Sequence, residues 1–145
     1  MNAELAIAAQ ASAVAIGGRA LMIEGEPGSG KSSLILALID RGAQLIGDDA
    51  VTLTRDGMKV MASPPPNIAG LLELRGVGLF KLPVAAPSPL ALILVVGSLG
   101  ARLPDEVPSR RIFDLAIPCL AFEPGSIAPA QRAEWALRRH GLLHD

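Results

Sequence analysis

The stretch Gly25-Glu26-Pro27-Gly28-Ser29-Gly30-Lys31-Ser32 directly follows an apolar run at residues 20–23. It matches the phosphate-binding P-loop pattern, in which a glycine, four further residues and a second glycine precede lysine and serine. Glycines let the backbone turn several N–H groups toward an anion, and a helix that begins near the lysine adds the positive end of its dipole. The stretch therefore predicts a site for a nucleotide or another phosphate.

The residues of this loop have distinct expected parts in the site. We expect the Lys31 ammonium to contact the β and γ phosphates and the Ser32 hydroxyl to bind Mg²⁺. The residues expected to surround the bound nucleotide are Gly25, Gly28, Ser29, Gly30, Lys31, Ser32 and Ser33.

A pair of acids is expected to lie opposite the loop. A strand at 20–23, a helix over 31–41 and a strand at 43–46 indicate a βαβ unit. Such a crossover makes its two strands parallel, so their carboxyl ends lie at one edge of the sheet, where ligands of open α/β sheets bind. Asp48-Asp49, which follows the second strand, should therefore face the loop across a short gap.

Two adjacent acids permit a division of roles in phosphoryl transfer. One can organise Mg²⁺ while the other accepts a proton from an incoming hydroxyl. The two motifs leave the acceptor of the phosphoryl group open, since it could be water, a small metabolite or a protein side chain.

The rest of the chain predicts further strands and one helix. Gly17-Gly18 and Asp56-Gly57 are typical hairpin turns, and the proline-rich segment 63–67 must be a loop. The apolar run 90–96 predicts a central buried strand. Segments 110–115 and 117–122 are ambiguous, whereas 128–140 indicates a C-terminal helix. The residues that we expect on or near the buried side of that helix are Trp135 and Leu137.

Length and composition limit the possible classes of protein. We expect residues 1–145 to form one domain, because this length suits one hydrophobic core and half of the residues are apolar. The net charge of −1 and the scarcity of aromatic residues argue against nucleic-acid binding.

Localisation can be predicted from three features of the sequence. The uncharged segment 82–101 is interrupted by prolines, and its apolar run is far shorter than the roughly 20 residues of a spanning helix. Glu4 stands where a signal peptide would carry a basic residue. The single cysteine, Cys119, cannot form an intrachain disulfide, and its apolar neighbours predict a core residue. We therefore expect a cytoplasmic protein without membrane contact.

A third motif, Leu71-Leu72-Glu73-Leu74-Arg75-Gly76-Val77-Gly78, follows the proline loop. Together with GEPGSGKSS and LIGDDAV, it resembles the C-terminal catalytic domain of HPr kinase/phosphorylase, whose signature places an acid and a hydrophobic residue before Arg-Gly-hydrophobic-Gly. The order and spacing of all three motifs agree over about residues 9–81.

The resemblance implies a fold, an activity and a partner. The fold would be α/β, a P-loop-containing mixed sheet with flanking helices that resembles the nucleotide-binding core of phosphoenolpyruvate carboxykinases. The activity would be ATP- and Mg²⁺-dependent phosphorylation of a serine on HPr, the phosphocarrier of a sugar or nitrogen phosphotransferase system. The chain is similar to the short form of the family, which lacks the N-terminal domain, and relatives are typically hexamers.

The resemblance also assigns roles to individual residues. Lys31 would bind phosphate, Ser32 would ligate Mg²⁺, and Asp49 would take the proton from the substrate serine. Asp48 would assist at the metal, and Glu73 would be a second metal ligand. The remaining catalytic residues that the resemblance implies are two arginines, Arg75 and Arg102.

The sequence departs from the family pattern in two places. Gln10 occupies a position where the family usually has a histidine, and segment 117–125 lacks the arginines that the long form carries there. We therefore expect kinase activity without phosphorylase activity. Two other functions stay open: a P-loop kinase or NTPase with another substrate, and a non-catalytic nucleotide-sensing module.

Overall fold

The computed structural model describes residues 4–67, 69–97, 100, 104 and 106–143. This part of the chain contains eleven strands and two α-helices. In chain order they are β1 (Leu5–Ala9), β2 (Ala11–Ile16), β3 (Arg19–Glu24), α1 (Lys31–Asp40), β4 (Gln44–Gly47), β5 (Ala50–Asp56), β6 (Lys59–Ser63), β7 (Leu71–Leu74), β8 (Gly78–Lys81), β9 (Ser88–Val96), β10 (Ser109–Ile112), β11 (Leu115–Phe122) and α2 (Pro129–His140).

A mixed sheet contains nine of these strands, of which seven follow the order β1-β5-β6-β9-β3-β2-β4 and the other two, β11 and β10, branch from β9. The central strand β9 pairs in parallel with β3 and β11 and antiparallel with β6, while β10 extends the sheet beyond β11. Residues 90–94 are fully buried because both faces of β9 are covered. This position confirms the prediction of a central strand at 90–96.

The predicted βαβ unit has the expected direction but different neighbours. Strands β3 and β4 both run antiparallel to β2, so they are parallel to each other, yet β2 lies between them. Helix α1 begins at Lys31 and ends before Gly42, whose φ of 105° marks the predicted stop. The carboxyl ends of β3 and β4 therefore lie at one edge of the sheet, as expected.

Two hydrophobic layers cover the central strands, because successive side chains of a strand point to opposite faces. Val14, Leu21 and Ile23 pack toward helix α1, whereas Ala13 and Met22 pack toward the opposite layer. The helix contributes Leu34, Ile35 and Leu38, all at most 2% exposed. Burial of each such side chain contributes about 1.5–3 kcal/mol, so the start of α1 is anchored by its own apolar face.

The sheet bends sharply where two pairs of strands change partners. Strand β1 continues through Gln10 into β2, and β4 continues through Asp48-Asp49 into β5. Gln10 and Asp49 both have left-handed backbones, with φ of 56° and 65°. The Gln10 N–H donates to the Asp49 carbonyl at 3.1 Å, which joins the two bends into one corner. The conformation is uncommon outside glycine, and aspartate tolerates it better than most residues.

The predicted turns and the C-terminal helix agree with the structure in most respects. Gly17-Gly18 joins β2 and β3 as predicted, while the turn between β5 and β6 lies at residues 57–58, one residue later than predicted. Helix α2 buries Leu137, but Trp135 is 64% exposed, so its predicted buried position is wrong. Two residues correspond to about 200° around a helix, which places Trp135 opposite the buried Ala133.

The motif at 71–78 forms a separate two-stranded sheet. Strands β7 and β8 pair antiparallel, with Leu72 opposite Phe80. Leu72 is 1% exposed and belongs to the core under α1, while Val77 and Leu79 are mainly exposed. The ambiguous segments at 110–122 form the hairpin of β10 and β11. Within the described ranges, neither helix has the length and apolar character to span a membrane.

Candidate active site

The phosphate loop lies between β3 and α1, and glycine is required at two of its positions for different structural reasons. Gly30 adopts a φ of 101° at the start of α1, a left-handed conformation that favours glycine. Gly25 has a steric reason, since a Cβ there would lie 2.5 Å from the Ser29 hydroxyl oxygen. The Ser29 N–H donates to the Glu26 carbonyl at 3.0 Å, which closes the loop on itself.

The start of α1 adjoins the loop and has no side-chain cap. Gly30 caps the helix without a side-chain hydrogen bond, so the first N–H groups of α1 have no side-chain acceptor from the cap. The Ser29 hydroxyl is also buried without a partner among the residues that the structure describes. Unsatisfied donors at a helix N-terminus are the usual setting for a bound phosphate.

Lys31 is held over the loop in a nearly buried position. Its side chain is 6% exposed, and its ammonium donates to the carbonyl oxygens of Gly25 and Glu26, the second at 3.5 Å. The same ammonium lies 3.6 Å from the Asp49 carboxylate. The loop carbonyls therefore fix a single positive charge between the phosphate loop and the acid pair.

The two aspartates differ in their surroundings. The Asp48 carboxylate accepts hydrogen bonds from the hydroxyls of Ser12 at 2.9 Å and Ser32 at 3.1 Å, and the Glu73 N–H lies 3.5 Å away. The Asp49 side chain is 63% exposed. Asp48 is thus fixed by donors beside the predicted metal ligand Ser32, and Asp49 offers a solvent-accessible carboxylate beside Lys31.

A single cleft of about 510 Å³ brings most of the predicted site residues together. Leu36, Leu74, Val77 and Pro27 add apolar surface to it. The predicted residues that line the cleft are Gly28, Gly30, Lys31, Ser32, Ser33, Asp48, Asp49, Glu73 and Arg75. Gly25 and Ser29 belong to the same loop without lining the cleft, and Arg102 lies outside the described residues.

The residues in the cleft fit Mg²⁺ bound together with phosphate. Ser32, Asp48 and Glu73 offer the oxygen ligands that Mg²⁺ prefers, and this ion usually keeps waters and shares substrate phosphates. Across residues 4–67, 69–97, 100, 104 and 106–143, no three acidic, histidine or cysteine side chains converge on one point. Ser32, Asp48 and Glu73 would thus hold Mg²⁺ only in part, and water and the phosphates of a nucleotide would supply its other ligands.

Sequence reasoning missed Ser12, which contacts both members of the acid pair. Ser12 is fully buried, donates to the Asp48 carboxylate and accepts the Asp49 N–H at 3.0 Å. The available signal was a lone hydroxyl in the otherwise apolar strand β2, at the end nearer the loop.

A second polar cluster lies behind the loop, on the opposite face of the sheet. Arg110 pairs with Glu24, the residue before the loop, and one guanidinium nitrogen lies 3.6 Å from the Cys119 sulfur. The hydrogen bond that Arg110 donates to the Glu24 carboxylate raises the pKa of Arg110. Burial raises the pKa of Cys119, despite the neighbouring Arg110. Cys119 is partly buried against the core rather than fully enclosed, and its thiol is kept protonated.

The fold and the cleft define the class of protein first: a P-loop α/β protein with an acid pair opposite the loop. The family follows from the sequence, because the family model described as HPr Serine kinase C-terminal domain matches residues 4–84, more than half of the chain. The chain belongs to this family.

Curated relatives carry the name HPr kinase/phosphorylase. The relative from Chloroherpeton thalassium is 33% identical over 115 residues, which cover 79% of this chain and 29% of the relative. The relative from Clostridium tetani is 42% identical over 66 residues, or 46% of this chain and 22% of the relative. The chain thus spans less than a third of the length of these relatives.

A solved structure supports the fold over nearly the whole chain. The Hpr(Ser) kinase/phosphatase from Coxiella burnetii matches with a TM-score of 0.79 and 26% identity, covering 94% of this chain and 95% of that one. The predicted fold class is confirmed: a P-loop mixed sheet with flanking helices, like the nucleotide-binding core of phosphoenolpyruvate carboxykinases.

Proposed function

We propose that this chain is an ATP- and Mg²⁺-dependent protein-serine kinase that acts on an HPr-type phosphocarrier. The observation that carries the proposal is the 3.6 Å separation of the Lys31 ammonium and the Asp49 carboxylate in one cleft. A cation placed for the terminal phosphate and a carboxylate placed for a hydroxyl are the two groups that transfer to a serine requires.

The chain's own residues provide binding and proton transfer. The loop amides and Lys31 would hold the phosphates of ATP, and Arg75, which lines the same cleft, would offset their charge. The substrate serine oxygen bonds to the terminal phosphorus, and the bond from that phosphorus to the bridging oxygen of ADP breaks. The serine proton passes to Asp49. Mg²⁺, held by Ser32, Asp48 and Glu73, would supply neutralisation of the phosphate charge.

The partner and setting are proposals from the family. Relatives that carry the name HPr kinase/phosphorylase support HPr as the protein whose serine is phosphorylated. We further propose that residues 1–145 act as one catalytic domain in the cytoplasm, and that the protein assembles as a hexamer. Arg102 keeps its proposed catalytic role from the same resemblance.

Kinase activity without phosphorylase activity is the favoured form of this proposal. Segment 117–125 contains no arginine, and most of it lies in strand β11 of the sheet. Pyrophosphate release from serine-phosphorylated HPr plus inorganic phosphate tests this point. A release rate comparable to the kinase rate would overturn the restriction to kinase activity.

Incubation with labelled ATP, Mg²⁺ and the HPr of the source organism tests the function itself. We expect label on a serine of HPr, lost when Mg²⁺ is removed by chelation. Free phosphate without labelled HPr would instead identify an NTPase. Tight ATP binding with neither product would identify a nucleotide-sensing module, and either of these results would refute the proposal.

A further inference from the structure

We propose that Ser12 is a positioning residue that assigns different roles to the two adjacent aspartates. The inference rests on the proposed phosphoryl transfer, and it adds a fully buried residue that does not line the cleft. Its hydroxyl sits between the side chain of Asp48 and the backbone of Asp49, so that one group constrains both acids.

The geometry of the hydroxyl fixes the direction of both hydrogen bonds. Because the Asp49 N–H can only donate, the Ser12 oxygen accepts it at 3.0 Å and the hydroxyl proton is free to point elsewhere. That proton is directed at the Asp48 carboxylate at 2.9 Å. The two bonds use the donor and one acceptor site of a single hydroxyl, whose side chain is fully buried.

The two bonds have different consequences for the acids. The bond to Asp48 orients its carboxylate toward the Ser32 hydroxyl, which lies 3.1 Å away and is the proposed metal ligand. The bond from the Asp49 amide stabilises the left-handed backbone, with φ of 65°, that turns the next carboxylate out of the strand direction. Asp49 thereby reaches the cleft beside Lys31 instead of sharing the environment of Asp48.

The position of Ser12 in the sheet explains why this residue can serve both acids. Strand β2 lies between β3 and β4, and Ser12 is opposite Ile23, close to the carboxyl ends of both strands. Its neighbours on the same face of the strand are core residues under α1. Burial of a hydroxyl at this site is therefore unfavourable by itself, and its hydrogen bonds with the acid pair offset that free-energy cost.

The test compares Ser12→Ala with Ser12→Cys and with the matched control Ser88→Ala. Ser88 is also buried and donates a local hydrogen bond, to the Ala86 carbonyl, and it does not line the cleft. Kinase rate is measured against Mg²⁺ concentration, and thermal unfolding is followed for every variant. Binding of a non-hydrolysable ATP analogue is titrated with Mg²⁺ in parallel.

We expect Ser12→Ala to lower kcat at least tenfold and to raise the half-saturating Mg²⁺ concentration several-fold, at unchanged KM for HPr. Ser12→Cys, which keeps the size and a weak donor, should lie between Ser12→Ala and the original chain. Ser88→Ala should keep kcat and Mg²⁺ dependence even where its melting temperature falls. If Ser12→Ala does not fold, the test uses Ser12→Cys, for which we expect a smaller loss of kcat and a smaller rise in the half-saturating Mg²⁺ concentration.

Two results would overturn the inference. One is a folded Ser12→Ala variant with unchanged kcat and Mg²⁺ dependence, and the other is an equal loss in Ser88→Ala, which would indicate general destabilisation. If the original chain does not phosphorylate HPr, the proposed function fails separately. The Mg²⁺ dependence of analogue binding then decides on Ser12: a several-fold rise supports the inference, and no change refutes it.

Discussion

The two walls of the cleft are built in different ways. One wall consists of the phosphate loop and the aspartates, with Lys31 only 6% exposed and Asp48 held by the hydroxyls of Ser12 and Ser32. The other wall is the β7–β8 hairpin, where Glu73 and Arg75 are exposed and Val77 is 72% exposed. The first wall is continuous with the hydrophobic core, whereas the second contacts the core through Leu72.

This difference separates two kinds of substitution. Residues of the first wall both contact buried groups and take part in the proposed phosphoryl transfer. Their replacement should therefore alter activity and stability together. Exposed residues of the hairpin can be replaced with little change in folding, because substitutions away from buried or hydrogen-bonded groups usually change stability by less than about 0.5 kcal/mol. The contrast can be measured at single positions.

The largest effect is expected for Lys31→Ala on the first wall. Loss of one positive group at a phosphoryl-transfer site should lower kcat/KM by about 10³-fold or more, and ATP affinity should fall with it. The change is measured by steady-state kinetics and by equilibrium binding of ATP. Lys81→Ala, at an exposed position of β8, serves as the control and should leave both unchanged. Unaltered ATP affinity in Lys31→Ala would remove Lys31 from its proposed role.

The next effect is expected for Asp49→Asn, which keeps the shape of the side chain and removes its basicity. Transfer to HPr should fall by about 10²-fold or more, while ATP affinity stays within a few-fold. Asp40→Asn, at the exposed end of α1, is the matched control. Near-normal transfer by Asp49→Asn would contradict the assignment of the proton acceptor.

A smaller effect, on the free energy of unfolding, is expected for the second wall, where it distinguishes the buried Leu72 from the exposed Leu79. Leu72→Ala should lower the free energy of unfolding by about 2–5 kcal/mol, because it opens a cavity under α1. Leu79→Ala, in the same hairpin and 64% exposed, should change it by less than about 0.5 kcal/mol. Urea unfolding measures both. Equal losses at the two positions would show that the hairpin surface is buried in solution.

The smallest effect concerns the cluster behind the loop. Burial raises the pKa of Cys119 above that of an unfolded thiol. Burial of this thiol therefore costs no stability below the pKa of the unfolded thiol, and the chain loses stability as pH rises from that value through the folded pKa. Alkylation at pH 8 should be slower in the folded chain than in urea, because a smaller fraction of the buried thiol is ionised. Cys119 is the single cysteine, so all label reports on it, and equal rates would refute the shift.

The sequence was sufficient for the parts of the molecule that depend on local patterns. The P-loop spacing fixed the start of α1, and the uncharged run at 90–96 identified the central strand. The parallel direction of β3 and β4 also followed from the connection between them. The acid pair was expected opposite the loop, and it lines the same cleft.

The remaining features depend on contacts between distant residues. No local signal indicates that β2 inserts between β3 and β4, because that order is decided by packing of the whole sheet. The hydrogen bond from Ser12 to Asp48 joins residues that lie 36 positions apart in the sequence. Trp135 was expected on or near the buried side of α2 together with Leu137, but the face of α2 that meets the core is set by Ala130, Ala133 and Leu137.

A crystal structure with Mg²⁺ and a non-hydrolysable ATP analogue would show whether the phosphate loop and the acid pair meet at one terminal phosphate. We expect the triphosphate in the loop at 25–32, with the Lys31 ammonium and the carboxylates of Asp48 and Asp49 directed at its terminal phosphate. A nucleotide bound elsewhere, or a terminal phosphate many ångströms from both carboxylates, would contradict it.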